Sequence, residues 1–259
     1  MRAGLVPVCD ACVGRVRKST LTACGQCGEA LGLDLDMEDV RFAGQMAANL
    51  RCRECRMAEP PFEQAVSYGT YEDELRALIQ LLKFDGVRGV AGVLGDRLAD
   101  AVLELEGVAG RDLLVVAVPL FAARERERGY NQSVLLADRA VARLRKMRPK
   151  WRLTTAHGAL KRVRRTEAQY VLTLRERRRN LRGAFVVAHD VAGREVLIID
   201  DILTSGATAR ECARVLKAAG AARVWVATLA RAQKQEFSRM HEDPGDGVAR
   251  WDAATVAQA

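Results

Sequence analysis

The run Val196-Leu-Ile-Ile-Asp-Asp-Ile-Leu-Thr-Ser-Gly-Ala-Thr208 constrains this chain more than any other stretch. It opens on a continuous apolar segment rich in β-branched residues, the pattern of a strand covered on both faces in a parallel sheet. Two carboxylates end the strand, a turn of small hydroxylated residues and glycine follows, and Ala207 to Ala219 reads as a helix. The strand signal returns at Val224 to Leu229. Strand, helix and strand make a βαβ unit, which fixes an α/β fold with a mainly parallel sheet.

The chemistry of the run suits a sugar phosphate. A helix N-terminus presents unpaired N–H groups and the positive end of its dipole, so Thr204, Ser205, Gly206, Ala207 and Thr208 can wrap a phosphate. Gly206 lets the backbone approach the anion. Asp200 and Asp201 lie at the carboxyl end of the strand, where ligands bind in open α/β sheets, and carboxylates accept hydrogen bonds from vicinal hydroxyls. Taken singly, an Asp-Asp or a Thr-Ser-Gly also serves as an ordinary cap or turn.

Other elements support the same class. Glu74 to Phe84 carries apolar residues at 75, 78, 79 and 82, the spacing of an amphipathic helix, and Asp85-Gly86 stops it. Further helices are expected over about Gly92 to Leu105 and Ser133 to Arg145, and further strands over Leu113 to Val118 and Ala184 to Ala188. The longest apolar run, Leu113 to Ala123, has 11 residues including Pro119, so no membrane span is expected. The first nine residues are too short in apolar content for a secretory segment, which points to the cytoplasm.

Six of the seven cysteines form three CxxC pairs, Cys9/Cys12, Cys24/Cys27 and Cys52/Cys55. Each such turn supplies two thiolates from one knuckle, the building unit of a tetrahedral structural Zn2+ site. Six ligands do not divide evenly into sites of four, so spacing leaves the pairing open. Cys212 stands apart and suits a small buried side chain.

The net charge of +8 is partly local: nine basic residues stand against two acids between Lys161 and Gly183. Such a stretch is a solvated helix or a surface for nucleic acid. Tyr170 is its one aromatic residue, so a single-stranded nucleic acid would be held mainly through phosphates. Arg124, Arg126 and Arg128 alternate with acids after a strand, either as a solvated loop or, with Gly129, as donors to an anion.

The Val196 to Thr208 segment resembles the signature of type I phosphoribosyltransferases, with Ser205 in place of a second Thr. Leu82-Lys-Phe-Asp-Gly86, Arg124-Glu-Arg-Glu-Arg-Gly-Tyr-Asn-Gln132 and Arg162-Val-Arg-Arg-Thr-Glu-Ala-Gln169 narrow the likeness to the ComF family of ComFC- and GntX-like proteins, whose elements recur here in order. Two departures are the three CxxC pairs, where many relatives have four, and Phe121, where a histidine is common. The resemblance implies a zinc ribbon, placed over 1–58 by the junction at Pro60-Pro61, and a domain of type I phosphoribosyltransferase-like topology over 62–232; the tail over 233–259 mixes charged residues with Pro244-Gly-Asp-Gly247 without sustained periodicity and is expected to be poorly ordered. By family register Cys24, Cys27, Cys52 and Cys55 form the intact ribbon, with Cys9 and Cys12 left over or substituting. It further implies phosphoribosyl pyrophosphate bound with Mg2+, Asp200 and Asp201 holding the ribose, and pyrophosphate held at Arg124, Arg126, Arg128 and Gly129. Transfer of the ribose phosphate to an acceptor is one reading. The other is a non-enzymatic factor that senses a ligand or handles single-stranded DNA with the DNA-uptake machinery, its sugar-phosphate site vestigial.

Overall fold

The computed structural model describes residues 8–31, 50–165 and 174–233. In chain order its helices are α1 (Asp10–Arg15), α2 (Arg53–Met57), α3 (Asp73–Lys83), α4 (Ala91–Val102), α5 (Ala122–Arg128), α6 (Gln132–Met147), α7 (Leu174–Leu181) and α8 (Ala207–Ala218). The strands are β1 (Gln64–Thr70), β2 (Asp112–Ala117), β3 (Arg152–Thr155), β4 (Leu160–Arg162), β5 (Phe185–Val187), β6 (Glu195–Leu203) and β7 (Arg223–Arg231).

Five strands form one sheet in the order β1-β7-β6-β2-β3, every pairing parallel. Strand β6 lies at its centre and β7 follows it through α8, so the expected βαβ unit is present. The period-two alternation of a strand divides the apolar residues between two cores. Val115, Leu197, Ile199 and Ala227 join α3, α4 and α6 on one face, whereas Val116, Val196, Ile198 and Val226 join α8 on the other. Both faces are covered, which is why β2, β6 and β7 read as continuous apolar runs.

Two sequence expectations change. The strand expected at Ala184 to Ala188 is present as β5, but it pairs antiparallel with β4 in a separate two-stranded ribbon. That ribbon and α7 supply Leu160, Leu181 and Phe185 to the α8 core. The arginine segment is the helix α5 rather than a loop. Its Ala, Arg and Glu residues all favour helix, and Gly129 ends it in the left-handed region at φ 75°. Thr166 to Gln169, Tyr170 and nearly all of the tail lie outside the described residues. No helix among the described residues is long and apolar enough to cross a membrane.

Helices α4 and α6 approach closely because Gly95 has no side chain. A Cβ there would stand 2.4 Å from Arg139 Cβ and 3.4 Å from the Ala140 backbone nitrogen. Gly95→Ala should therefore lower stability by about 1–3 kcal/mol through overpacking, read as a fall in the thermal midpoint. An unchanged midpoint would contradict this contact.

Candidate sugar-phosphate site and cysteine cluster

Strand β6 carries Asp200 and Asp201 to the carboxyl edge of the sheet, Asp200 half-buried and Asp201 buried. Each has its own support. Lys83, the last residue of α3, places Nζ 2.9 Å from Asp201 Oδ1. Ser133, in the first turn of α6, donates its hydroxyl to Asp200 Oδ1 at 3.0 Å, and the Asp201 N–H donates to the same oxygen at 2.9 Å. Asp201 Oδ2 is buried without a hydrogen-bond partner among the described residues.

Two adjacent carboxylates out of water disfavour each other's charge. Burial, then repulsion from Asp201, pushes the Asp200 carboxyl up to about 7, against the pull of Lys83 and the two donors. A carboxyl with a raised folded pKa keeps its proton longer in the folded state, so its contribution to stability is present in acid and lost as pH rises through about 7.

After Leu203 the chain turns through Thr204, Ser205 and Gly206 into α8. Gly206 sits at φ 72°, a left-handed conformation that favours glycine. A small hollow here is lined by Asp200, Thr204, Gly206, Ala207, Thr208 and Thr228. Asp200 and four of the five predicted phosphate-turn residues, all but Ser205, thus share one recess, and Asp201 is not among its lining residues. No local pattern marks the residue beneath it: Arg231, buried at the end of β7, donates to the carbonyls of Leu203, at 2.8 Å, and Thr204.

The predicted anion arginines separate. A helix advances about 100° per residue, so Arg124 and Arg128 share one side of α5 and Arg126 faces roughly the other. Arg124 and Arg126 are exposed. Arg128 is half-buried, lies 5.8 Å from the Phe84 ring centroid, and donates to Gln132 Oε1. Burial holds its pKa down, while the Asp201 charge draws it up. The Gly129 carbonyl accepts from Arg88 at 2.9 Å.

Several residues of the quoted motifs serve to position the site. Tyr130 donates its hydroxyl to the Leu82 carbonyl, tying α3 to the start of α6. Asn131 donates to the Val118 carbonyl at 3.0 Å and caps α6 through the Ser133 N–H at 2.9 Å, which sets Ser133 beside Asp200. Arg162, on β4, is half-buried with its guanidinium 5.6 Å from the Phe185 ring; burial lowers its pKa, with Cys212 and Asp200 opposing. Cys212 is fully buried, as its apolar helix position suggested, and burial pushes its thiol up.

Four of the six paired cysteines come together. The sulfurs of Cys24, Cys27, Cys52 and Cys55 lie within 4.8 Å of one another, with Cys27 and Cys52 at 3.6 Å. Tetrahedral Zn–S bonds of about 2.3 Å place sulfurs about 3.8 Å apart, so the cluster fits a divalent metal such as zinc. Hydrogen bonding to Cys24 pushes Cys27 up to about 12 and Cys55 further, while Cys24 is drawn down by Cys27 and Cys55. A cation favours the thiolate form of all four. Cys9 and Cys12, at the start of α1, are not part of this group.

Residues 131–255 match the family model described as the phosphoribosyl transferase domain. The DNA utilization protein YhgH of Escherichia coli O157:H7 is 33% identical over 226 residues, 86% of this chain and 90% of that protein. Competence protein F of Haemophilus influenzae is 29% identical over 231 residues, covering 87% and 90% of the two chains. Competence protein ComFC of Bacillus subtilis is 26% identical over 225 residues, covering 83% and 80%. With the parallel sheet, the acid pair, the Thr204–Thr208 turn and the four-cysteine cluster, these likenesses make the chain a member of the ComF family of phosphoribosyltransferase-like proteins.

Proposed function

We propose that the chain binds phosphoribosyl pyrophosphate together with Mg2+ at the Asp200/Asp201 edge, and that it acts in the use or uptake of DNA, as the names of its relatives state for them. The observation that carries the binding reading is the shared recess of Asp200 and the Thr204–Thr208 turn. In this reading the α8 amides and the hydroxyls of Thr204, Ser205 and Thr208 hold the 5-phosphate. Asp200, fixed by Ser133, accepts from a ribose hydroxyl, and Lys83 holds Asp201 beside it. Arg128, with Arg124 on the same side of α5, faces the pyrophosphate.

Mg2+ takes oxygen ligands and is commonly held by one or two carboxylates plus substrate phosphates. Asp200 and the partnerless Asp201 Oδ2 supply such donors. When bound, Mg2+ neutralises charge on the pyrophosphate. Transfer would break the bond between C1 and pyrophosphate through an oxocarbenium-like state and form a new bond from C1 to an acceptor nucleophile; pyrophosphate would leave with the electron pair of the broken bond, the protein contributing position and charge stabilisation.

The second reading is a DNA-handling factor without transfer chemistry. The observation favouring it is the exposed basic surface of Lys161, Arg164, Arg165 and Arg182 beside the turn's core. Its phosphate contacts would weaken steeply with salt.

Calorimetric titration with phosphoribosyl pyrophosphate and Mg2+ should show saturable binding that weakens roughly 10- to 100-fold in Asp200→Asn plus Asp201→Asn, the worth of hydrogen bonds to charged acceptors. Single-stranded DNA binding should stay unchanged in that variant. Intact ligand binding in the double variant would sink the proposal, and no heat at millimolar ligand would leave only the second reading. For the metal, one zinc per chain is expected by elemental analysis. Cys24→Ser and Cys52→Ser should lower that ratio and Cys9→Ser should not; the reverse pattern would refute the four-cysteine assignment.

A further inference from the structure

One buried ion pair joins the cysteine cluster to the phosphate turn. Glu29 and Arg231 are 5% and 8% exposed, and Arg231 Nη2 donates to Glu29 Oε2. The Nη1 of the same guanidinium donates to the carbonyls of Leu203 at 2.8 Å, Thr204, and Ala232 at 2.9 Å. One side chain therefore grips both the end of β6 and the first residue of the turn. Its charge is balanced by an acid from the cysteine module.

Glu29 is itself held by the cluster. Its carbonyl accepts from the Cys24 N–H at 2.8 Å, and its neighbour Gly28 donates its N–H to the Cys24 carbonyl at 2.9 Å. The next residue, Ala30, donates its N–H to Gln233 Oε1 at 2.9 Å, just past Arg231. A second link runs to the helix that the turn feeds. Arg210, in α8, donates to the Ala58 carbonyl at 3.0 Å and lies 3.9 Å from Cys55 Sγ. Both cysteine knuckles are thus tied to the segment from Leu203 to Arg210.

Small cysteine modules of this kind are held folded by their metal, and metal affinity then carries the folding free energy of the module. Removing one partner of a buried ion pair leaves an uncompensated charge. We infer that Arg231 is a positioning residue for the phosphate turn, and that through Glu29 the metal state of the cysteine cluster sets whether the turn is held in its anion-binding shape. The metal site is then a splint for the ligand site. Linkage makes the effect reciprocal: a ligand that fixes the turn tightens the hold on the metal. The anion-binding role of the turn rests on the proposed function; the splint itself rests on the metal site alone.

Amide hydrogen exchange of the full chain, followed by mass spectrometry, reads the turn without any ligand. Chelation of zinc should speed exchange in the Leu203 to Ala209 peptide roughly tenfold or more while Leu113 to Val116, in β2, stays protected, as for a local opening. Zinc-loaded Glu29→Gln, with zinc content unchanged, should show most of the same acceleration, and chelation should add little to it. Turn exchange indifferent to zinc overturns the inference, as does a zinc-loaded Glu29→Gln that matches the unaltered chain. Acceleration shared equally by Leu113 to Val116 also overturns it, because the module would then support the whole fold rather than the turn. If Glu29→Gln fails to fold, the zinc-removal comparison on the unaltered chain decides alone. A ribose 5-phosphate titration completes the test: affinity should fall with zinc removal in step with exchange. An absence of ribose 5-phosphate binding to the zinc-loaded chain would defeat the phosphoribosyl reading and leave the exchange result standing.

Discussion

Two carboxylates on consecutive residues at the end of the central strand repel each other, and much of the surrounding structure offsets that repulsion. Lys83 is delivered to Asp201 because α3 ends there, and Ser133 is delivered to Asp200 because Asn131 caps α6. Tyr130 ties those two helices together through the Leu82 carbonyl. The residual strain appears as the raised pKa of Asp200 and the unpartnered Oδ2 of Asp201. A ligand rich in hydroxyls, or a cation, relieves both, since each favours the ionised form.

The same edge of the sheet depends on the cysteine module. Arg231 is buried beneath the turn, and a buried guanidinium needs a counter-charge. That counter-charge comes from Glu29, 202 residues away in sequence, whose carbonyl accepts from the N–H of the cluster's Cys24. The N-terminal module is therefore part of the architecture of the site. In this account metal and sugar phosphate act on one element, the segment from Leu203 to Arg210.

Much of this was legible in the sequence, for identifiable reasons. The central strands β2, β6 and β7 are covered on both faces, so their apolar runs are continuous. The edge strand β1 buries residues in the mixed pattern of Gln64-Ala-Val-Ser-Tyr-Gly-Thr70, and β3 is only four residues long, so neither announced itself. The α5 helix was hidden by its alternating charges, although its composition favours helix and Gly129 marks its end. Lys83, Ser133 and Arg231 act on partners distant in sequence, and no local pattern carries such information. Their neighbours did carry a signal, since Lys83 lies within the quoted Leu82 to Gly86 motif and Ser133 directly follows the arginine motif.

On the proposed binding mode, the acid pair is held in tension until a phosphoribosyl ligand relieves it. Carbon-13 titration of the Asp200 carboxyl by NMR tests this most directly. In the free protein the group should titrate near 7, and saturating phosphoribosyl pyrophosphate with Mg2+ should bring it down toward the ordinary carboxylate range of about 4. A free-protein value already in that range, or one that saturating ligand leaves in place, would contradict the account.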